Sequence, residues 1–378
     1  MKILLLGDAS NCHFALSQGL ARLGHDVAVA SHGSKWMGTG RDIDISRSPG
    51  KLGGLWLWIK LNTLLARDLR GYDVVQLCGP MFVQQKPERV RALFDQVRRH
   101  NGSVFVTALG TDSPYVDMCL DPASPLRYNE WRAYGQPTPY AKAHPDILAA
   151  WRGEPLTGHC RYVYDHADGA VAVLYEYYLS LQRILPPEKA AYAGIPIDIN
   201  LSKYQNDKIS NCQNAGGSAL RVMLACHQGR EAEKGADVML PLLEGFAREN
   251  GSKVQFDFVQ NRPFAEFSRL LSEADVVVDQ LYSYTPATTA LMAMADGKVV
   301  ISGGEPEYYD FIGERHLRPI INIDPGRPEQ AIAALQTLVD DRQRLAEMGR
   351  DSREFAIKHN SAEAVARRFV DFWERRLG

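Results

Sequence analysis

Two cations and a glycine, Arg230, Lys234 and Gly235, follow an apolar run that predicts a strand at residues 220–225. Cations at the end of a strand and beside a helix start suit a diphosphate, because its oxygens accept charge-assisted hydrogen bonds. A charged loop in solvent has the same composition. The pattern therefore predicts a phosphate clamp of Arg230 and Lys234, with a solvated loop as the alternative.

A second anion site is predicted at residues 285–289, whose sequence is typical of a helix start. Thr285 can cap the helix, and Pro286 suits the first helical position. The first amides of a helix have no partner within it, so those of residues 287–289, with the hydroxyls of Thr288 and Thr289, can bind a phosphate. A capped core helix without a ligand fits the same residues.

The predicted first strand, residues 3–6, ends in a polar loop that contains Gly7, Asp8, Asn11 and His13. Open α/β sheets bind ligands at the carboxyl ends of their strands, so this loop is a candidate site. It lacks GxGxxG, which argues against a dinucleotide cofactor. Capping of the next helix by Ser10 or Asn11 is the structural alternative.

Asp112 occupies the equivalent position after another predicted strand, at residues 103–108. Its carboxylate could hold a sugar hydroxyl or orient an acceptor, and it could equally cap the next turn. Residues 55–60, with two tryptophans, are apolar on every side of a helix. They predict a packing helix or a segment that touches a membrane surface.

The sequence lacks the other common motifs for metal binding, nucleophilic catalysis and phosphate binding. The ten histidines lack zinc-site spacing, and neither a GxSxG elbow nor a P-loop occurs. The six cysteines form no CxxC pair, so reduced cytosolic thiols are expected. A formal net charge of −2 argues against a nucleic-acid partner. The short apolar run at residues 3–6 and the lack of any 18-residue apolar window predict a cytoplasmic protein.

Strand and helix patterns alternate along both halves of the chain, which predicts parallel βαβ units. The length of 378 residues suggests two domains, and the polar stretch at 201–218 is the best linker. Residues 111–160 are rich in Pro, Tyr and Trp and predict an insertion on the ligand side of a sheet. The fold prediction is α/β, with two doubly wound Rossmann-type domains facing a cleft. The predicted strands are residues 3–6, 27–30, 72–77, 103–108, 169–174, 220–225, 254–259, 275–279 and 299–301, and the predicted helices include 87–100, 235–249, 263–273, 286–296 and 360–377.

The order of motifs in the second half resembles the group 1 glycosyltransferases, a retaining family with the GT-B fold. Residues 274–280 (ADVVVDQ) resemble the family's "aD-hydrophobic-hydrophobic" strand. Residues 293–301 (AMADGKVVI) resemble its "EAMAxGKPVI" segment, and residues 302–307 (SGGEPE) its "GGxPE" loop. Residues 234–237 (KGAD) resemble its "KGxD/E" helix start. The resemblance is specific at 274–307 and looser over the rest of the chain.

The resemblance implies an acceptor domain at 1–200, a linker at 201–218 and a nucleotide-sugar domain at 219–358. A final helix at 359–378 is implied to pack back on the first domain. Lys234, Arg230, His13 and Asp112 are the implied catalytic residues. No metal ion or cofactor is implied, and the substrates are a nucleotide-diphosphate sugar and a glycan, lipid-linked or other acceptor. The implied donor-binding residues are Gly7, Asp8, Asn11, Tyr284, Thr285, Thr288, Thr289, Met292 and Glu305.

One departure concerns the family's paired glutamates, which fall on Tyr284 and Met292. Neither side chain supplies a carboxylate for sugar or ribose hydroxyls, and residues 285–287 replace the glycine-rich part of the loop. The leading hypothesis is a metal-independent glycosyltransferase, with peripheral membrane contact as an open question. The alternatives are a non-catalytic GT-B partner or glycan-binding protein, which the lost glutamates favour, and a nucleotide-sugar epimerase.

Overall fold

The computed structural model of the protein describes residues 1–34, 36–199 and 219–377, which form two compact units. Unit 1 takes the described residues of Met1–Met118, Asp146–Asp198 and Ser361–Gly378. Unit 2 takes those of Cys119–Pro145 and Ile199–Asn360. The predicted linker at 201–218 lies outside the described residues.

Most of the strands are buried apolar runs that belong to two parallel sheets, and β6 and β7 form a separate antiparallel hairpin. The strands are β1 Lys2–Leu6, β2 Asp26–Ser31, β3 Ile43–Asp44, β4 Val74–Cys78, β5 Ser103–Ala108, β6 Arg132–Ala133, β7 Gln136–Pro137, β8 Gly169–Ala172, β9 Ala190–Tyr192, β10 Leu220–Cys226, β11 Val254–Gln260, β12 Val276–Val278, β13 Val299–Ser302 and β14 Ile321–Asn322.

The helices fill the connections between these strands. They are α1 Cys12–Arg22, α2 Gly50–Asn62, α3 Pro87–His100, α4 Ser113–Leu120, α5 Pro139–Ala143, α6 Pro145–Arg152, α7 Leu156–His166, α8 Tyr175–Leu181, α9 Glu231–Lys234, α10 Ala236–Asn250, α11 Phe264–Glu273, α12 Thr288–Ala295, α13 Pro306–Phe311, α14 Gln330–Asp340, α15 Arg342–Asn360 and α16 Ala362–Leu377. Short 3-10 turns occur at Pro187–Lys189 and Gly251–Lys253.

Unit 1 is built on a seven-stranded parallel sheet in the order β3-β2-β1-β4-β5-β8-β9. Successive side chains of a strand point to opposite faces, and β1 shows this directly. Leu4 and Leu6 pack in one buried core, whereas Ile3 and Leu5 pack in another. The sheet is therefore covered on both faces, which defines a doubly wound architecture.

The last helix, α16, packs on the second of these cores. Val365, Phe369 and Trp373 lie fully buried there, and the Phe105 and Trp373 ring centroids are 6.4 Å apart. The predicted return of the C-terminal helix to the N-terminal sheet is confirmed.

Unit 2 contains a five-stranded parallel sheet in the order β11-β10-β12-β13-β14. The order reverses between β11 and β12 around β10, so a switch point lies between β10 and β12. The loops that leave these strands carry residues 227–230 and 279–287. They bring the predicted clamp and the predicted helix start to one edge of the sheet.

Residues 119–145, with the antiparallel β6-β7 hairpin, also belong to unit 2. The predicted N-terminal domain at 1–200 includes them, and the structure differs from that boundary. The reason is a set of polar contacts that residues 127–134 make to loops of unit 2.

Candidate functional site

Lys234 is the better anchored of the two predicted clamp residues. Its Nζ lies 3.0 Å from Oδ1 of Asp279, and the side chains are 14% and 0% exposed. The backbone carbonyl of Lys234 accepts a 2.8 Å hydrogen bond from the amide of Leu281. The end of α9 is therefore fastened to the loop that follows β12.

Gly235 makes this junction sterically feasible. It adopts φ of +73°, and a Cβ at this position would lie 2.5 Å from Cβ of Leu281. A larger residue would be strained in its backbone and would push the loop away. Lys234 therefore depends on its glycine neighbour for its place.

Arg230 is paired within its own turn. Its guanidinium donates two hydrogen bonds to the carboxylate of Glu233, and the arginine side chain is 49% exposed. These bonds hold the pKa of Arg230 above its usual range. Arg230 is charged and reachable from solvent, but it already has an anionic partner.

The helix α12 begins two residues later than predicted, at Thr288, with Ala287 at the N-cap position and no side-chain cap. The predicted Thr285 cap and Pro286 start are wrong. Ser283 Oγ donates to the carbonyl of Thr285 at 2.7 Å and accepts from its amide at 3.3 Å, which holds residues 283–285 in a turn. Thr285 is buried, whereas Thr288 and Thr289 are half-buried at the helix N-terminus.

Tyr284 and Met292 occupy the positions of the family's glutamates. Met292 is half-buried, whereas Tyr284 is 1% exposed and its hydroxyl accepts a 2.6 Å hydrogen bond from the amide of Arg127. The Arg127 guanidinium lies 5.3 Å from the Tyr284 ring centroid, and the Tyr128 ring is 4.8 Å away. Burial raises the pKa of Tyr284 above its usual range. Tyr284 therefore packs against the inserted segment.

Glu305 is also held by that segment. Its carboxylate is buried and accepts hydrogen bonds from Arg127, from the hydroxyl of Tyr128 and, at 2.9 Å, from Nδ2 of Asn322. Arg127 pairs with Glu307 as well. This polar network fixes residues 127 and 128 on unit 2. Composition alone indicated an insertion at 111–160, and no sequence pattern pointed to these partners.

In unit 1, the loop after β1 is shaped by Gly7 and Asp8. Gly7 has φ of +85°, and a Cβ there would lie 2.7 Å from the Phe82 carbonyl oxygen. Asp8 is 7% exposed, and its Oδ1 accepts a 2.9 Å hydrogen bond from the His13 amide. The structural alternative, capping by Ser10 or Asn11, does not occur, because Asp8 accepts from the start of α1 instead. The backbone of Asn11 lies in the left-handed region, with φ of 64°, and its side chain does not cap the helix.

The second carboxylate oxygen of Asp8 has no hydrogen-bond partner within the described part of the chain. Burial raises the pKa of Asp8 to about 6. A carboxyl group with this pKa can exchange a proton near neutral pH.

His13 has no exposed surface, and both ring nitrogens are engaged. Its Nδ1 lies 2.8 Å from the carbonyl oxygen of Gly7, and its Nε2 lies 2.9 Å from Oγ1 of Thr107. Because a carbonyl only accepts, Nδ1 carries the proton and Nε2 accepts from the hydroxyl. Burial lowers the pKa of His13 to about 4. The predicted catalytic role does not fit this neutral, enclosed ring.

The same bonds continue through the sheet to α16. The indole Nε1 of Trp373 donates to Oε1 of Gln76 at 2.9 Å, and Nε2 of Gln76 donates to Thr107 at 3.0 Å. An indole only donates, so the direction of every bond from Trp373 to Gly7 is fixed. We call Trp373, Gln76, Thr107, His13 and Gly7 the buried relay. It ties the C-terminal helix to the loop after β1.

Asp112 is a helix cap. Its Oδ1 accepts from the Tyr115 amide at 2.9 Å, and its Oδ2 accepts from the Tyr164 hydroxyl at 2.6 Å. The side chain is buried, and burial raises its pKa to about 6. The structure favours the capping alternative for Asp112 over a direct contact with a sugar.

The predicted site residues therefore fall in two groups. Unit 1 contains Gly7, Asp8, Asn11, His13 and Asp112, and unit 2 contains the others. Over residues 1–34, 36–199 and 219–377, no three His, Cys, Asp or Glu side chains are grouped to hold a metal ion. Within the same ranges, no helix has the length and apolar character needed to cross a bilayer.

Neither a family model nor a curated protein matches the sequence. Solved structures match over almost the whole chain. HepE from Anabaena, in complex with UDP-glucose, is 15% identical with a TM-score of 0.55 and 99% of both chains covered. Sucrose-phosphate synthase from Thermosynechococcus elongatus is 15% identical with a TM-score of 0.61 and 99% of both chains covered. A glycosyltransferase from Rickettsia africae ESF-5 is 13% identical with a TM-score of 0.58, over 99% of this chain and 98% of that one. The predicted fold, GT-B-like with two Rossmann-type units, is confirmed.

Proposed function

We propose that this protein is a glycosyltransferase that moves a sugar from a nucleotide-diphosphate sugar to a glycan or other acceptor. The observation that carries the proposal is the junction of Lys234 with the loop after β12, at the carboxyl edge of the unit 2 sheet. Parallel sheets bind ligands at this edge, next to the switch point. The fold is shared with proteins solved with UDP-glucose bound.

In this proposal, Lys234 and Arg230 bind the diphosphate, together with the amides of Thr288 and Thr289. The bond between the anomeric carbon and the diphosphate oxygen breaks while negative charge grows on the leaving diphosphate. A bond from the same carbon to an acceptor hydroxyl oxygen forms, and the hydroxyl proton passes to the released phosphate. Cations and helix N-termini stabilise that charge in the transition state. We propose that they do so without a divalent ion. EDTA should then leave turnover unchanged, and a loss that Mg²⁺ or Mn²⁺ restores would overturn this part.

The donor's hydroxyls have fewer carboxylate partners than the family pattern supplies. Tyr284 is buried, Met292 is apolar, and Glu305 is held by Arg127, Tyr128 and Asn322. A hydroxyl that loses its charged acceptor costs about 1–3 kcal/mol. We therefore propose that phosphate contacts dominate donor affinity, so that removal of the diphosphate weakens binding more than removal of the sugar.

The test is calorimetry of the full chain with a panel of UDP-, GDP- and ADP-sugars, followed by the free nucleotide diphosphate and the nucleoside. We expect one nucleotide to bind with and without its sugar, and the nucleoside to bind at least 100-fold more weakly, since it loses its charged contacts. Absence of binding to every donor would overturn the proposal.

Lys234→Ala should lower turnover by about two orders of magnitude or more, because it removes a cation from the leaving group. Lys253→Ala is the matched control, since Lys253 is an exposed lysine of unit 2. Near-normal turnover in Lys234→Ala would refute the role of Lys234.

Product analysis separates the remaining alternatives. A transferase consumes donor only with an acceptor, whereas an epimerase turns over the donor alone. The absent glutamates at Tyr284 and Met292 favour a second candidate, a glycan-binding protein. That protein would bind glycan and release no nucleotide. We propose a retained anomeric configuration, and proton NMR of the product would show it.

A further inference from the structure

Helix α2 in unit 1 presents large apolar side chains to solvent. Leu52 is 81% exposed, Trp56 57%, Leu55 46% and Ile59 43%. We call these four side chains the outer face of α2. Their spacing of three and four residues places them on one side of the helix, so they form a continuous patch.

The opposite side of α2 already has its partners. Leu57 and Leu61 are buried in the core of unit 1, and Trp58 packs against it. The carbonyl of Gly54 accepts a 2.7 Å hydrogen bond from Gln85. The helix is therefore firmly seated, and its outer face is not a core face that failed to pack.

The patch is also exceptional within the protein. Of the nine large apolar side chains that are most exposed among the described residues, five lie in the short stretch from Leu52 to Leu64. The other four, Tyr134, Ile184, Ile357 and Leu377, are scattered along the chain. Single exposed apolar residues are ordinary, whereas a cluster on one face marks a binding surface.

Charge around the patch identifies its partner. Helix α2 contains Lys51 and Lys60 and no acidic residue, and Arg47 donates a 3.0 Å hydrogen bond to the carbonyl of Gly50 at its start. Arg47 and Lys51 are exposed beside the outer face. An apolar helix face bordered by cations fits a surface that is apolar inside and negatively charged outside, which describes an anionic lipid leaflet.

We propose that the outer face of α2 docks on an anionic membrane surface, with Trp56 and its apolar neighbours entering the headgroup boundary. The basic residues around it contact the lipid phosphates. This contact is peripheral, and it does not depend on the proposed function, because it is measured without donor or acceptor.

The experiment is flotation of the full chain with phosphatidylcholine vesicles, with and without phosphatidylglycerol. We expect binding to the anionic vesicles, and weaker binding as salt is raised, because salt screens the basic residues. Absence of flotation with anionic vesicles at low salt would overturn the proposal.

Substitutions then localise the contact. Leu52→Gln combined with Trp56→Gln should weaken vesicle binding about tenfold or more, and Lys51→Gln about fivefold. Ile357→Gln and Arg344→Gln, on α15, are the matched apolar and basic controls and should bind as the parent does. Unchanged binding of the double variant would refute docking through α2.

A second copy of the chain is the competing occupant. Sedimentation velocity without lipid should show a species whose mass does not change with the Leu52 and Trp56 substitutions. A dimer that these substitutions dissociate, together with absent vesicle binding, would assign the patch to self-association instead.

Discussion

The buried relay makes unit 1 sensitive to acid through His13. The ring is enclosed and neutral, and burial lowers its pKa from about 6.5 to about 4. The unfolded chain therefore binds a proton at higher pH than the folded chain does. The stability that the neutral ring provides is complete above pH 6.5, and it is lost as pH falls toward 4.

The size of this loss follows from the two pKa values. A difference of roughly 2.5 pKa units corresponds to about 3 kcal/mol once pH is below both values. At pH 5 the unfolded imidazole is almost fully protonated and the folded one is mostly neutral, so the loss is already about 2 kcal/mol.

The perturbation is His13→Asn, which keeps a donor near Nδ1 for the carbonyl of Gly7 and cannot be protonated. It leaves the Thr107 hydroxyl without its acceptor, so it should cost about 1–3 kcal/mol at pH 7.5. The free energy of unfolding of the parent should therefore fall by about 2 kcal/mol relative to that of the variant as pH is lowered from 7.5 to 5.

Amide hydrogen exchange of β5, read by mass spectrometry, measures this difference within unit 1 alone, which matters because the chain has two units. Each pH compares variant with parent, so intrinsic exchange rates cancel. His100→Asn, at an exposed histidine of the same unit, is the control. Its difference from the parent in amide exchange should be the same at both pH values. If the gap between parent and His13→Asn is the same at both pH values, the ring is not the buried neutral group described above.

Three further substitutions test other contacts. Asp112→Asn should show the opposite pH dependence in the same exchange assay, because burial raises the pKa of Asp112 from about 3.8 to about 6. As pH falls from 7.5 to 4, the free energy of unfolding of the parent should rise by about 2 kcal/mol relative to that of the variant. A difference in free energy that is the same at both pH values would refute this. Glu305→Gln should lower the free energy of unfolding by about 2 kcal/mol and speed amide exchange at residues 126–134, because it replaces a charged acceptor with a neutral one. Unchanged exchange would contradict the polar network around Glu305. Gly235→Ala should lower the thermal midpoint of unfolding and weaken donor binding at least tenfold, because the new Cβ would clash with Leu281. A variant that binds the donor as the parent does would contradict the junction between Lys234 and the loop after β12.

The strands and helices with strong apolar patterns could be predicted from the sequence. The strand Ser103–Ala108 and the helix Pro87–His100 were predicted with the bounds that the structure shows. Both are buried along a full face, so their periodicity is strong. The two-residue strands Ile43–Asp44 and Ile321–Asn322 are too short to carry a pattern.

That residues 119–145 belong to unit 2 could not be predicted from local apolar patterns. Those residues join unit 2 through polar pairs such as Arg127 with Glu305, which are 178 positions apart. Local sequence does not encode a partner at that distance. The same limit applies to the site residues: the sequence places His13 and Asp112 at strand ends, but only their tertiary partners show that both are enclosed.

The two proposed clamp residues differ in what a ligand would displace. Glu233, the partner of Arg230, lies on the same turn, and the two side chains are 24% and 49% exposed, so their separation costs little. Asp279, the partner of Lys234, has no exposed side-chain surface, and separation would leave a buried carboxylate unpaired, which costs several kcal/mol. An ammonium has three donors, so Lys234 can bind a phosphate oxygen while it keeps Asp279. We therefore expect Arg230 to exchange its partner for the diphosphate and Lys234 to add the diphosphate as a second acceptor.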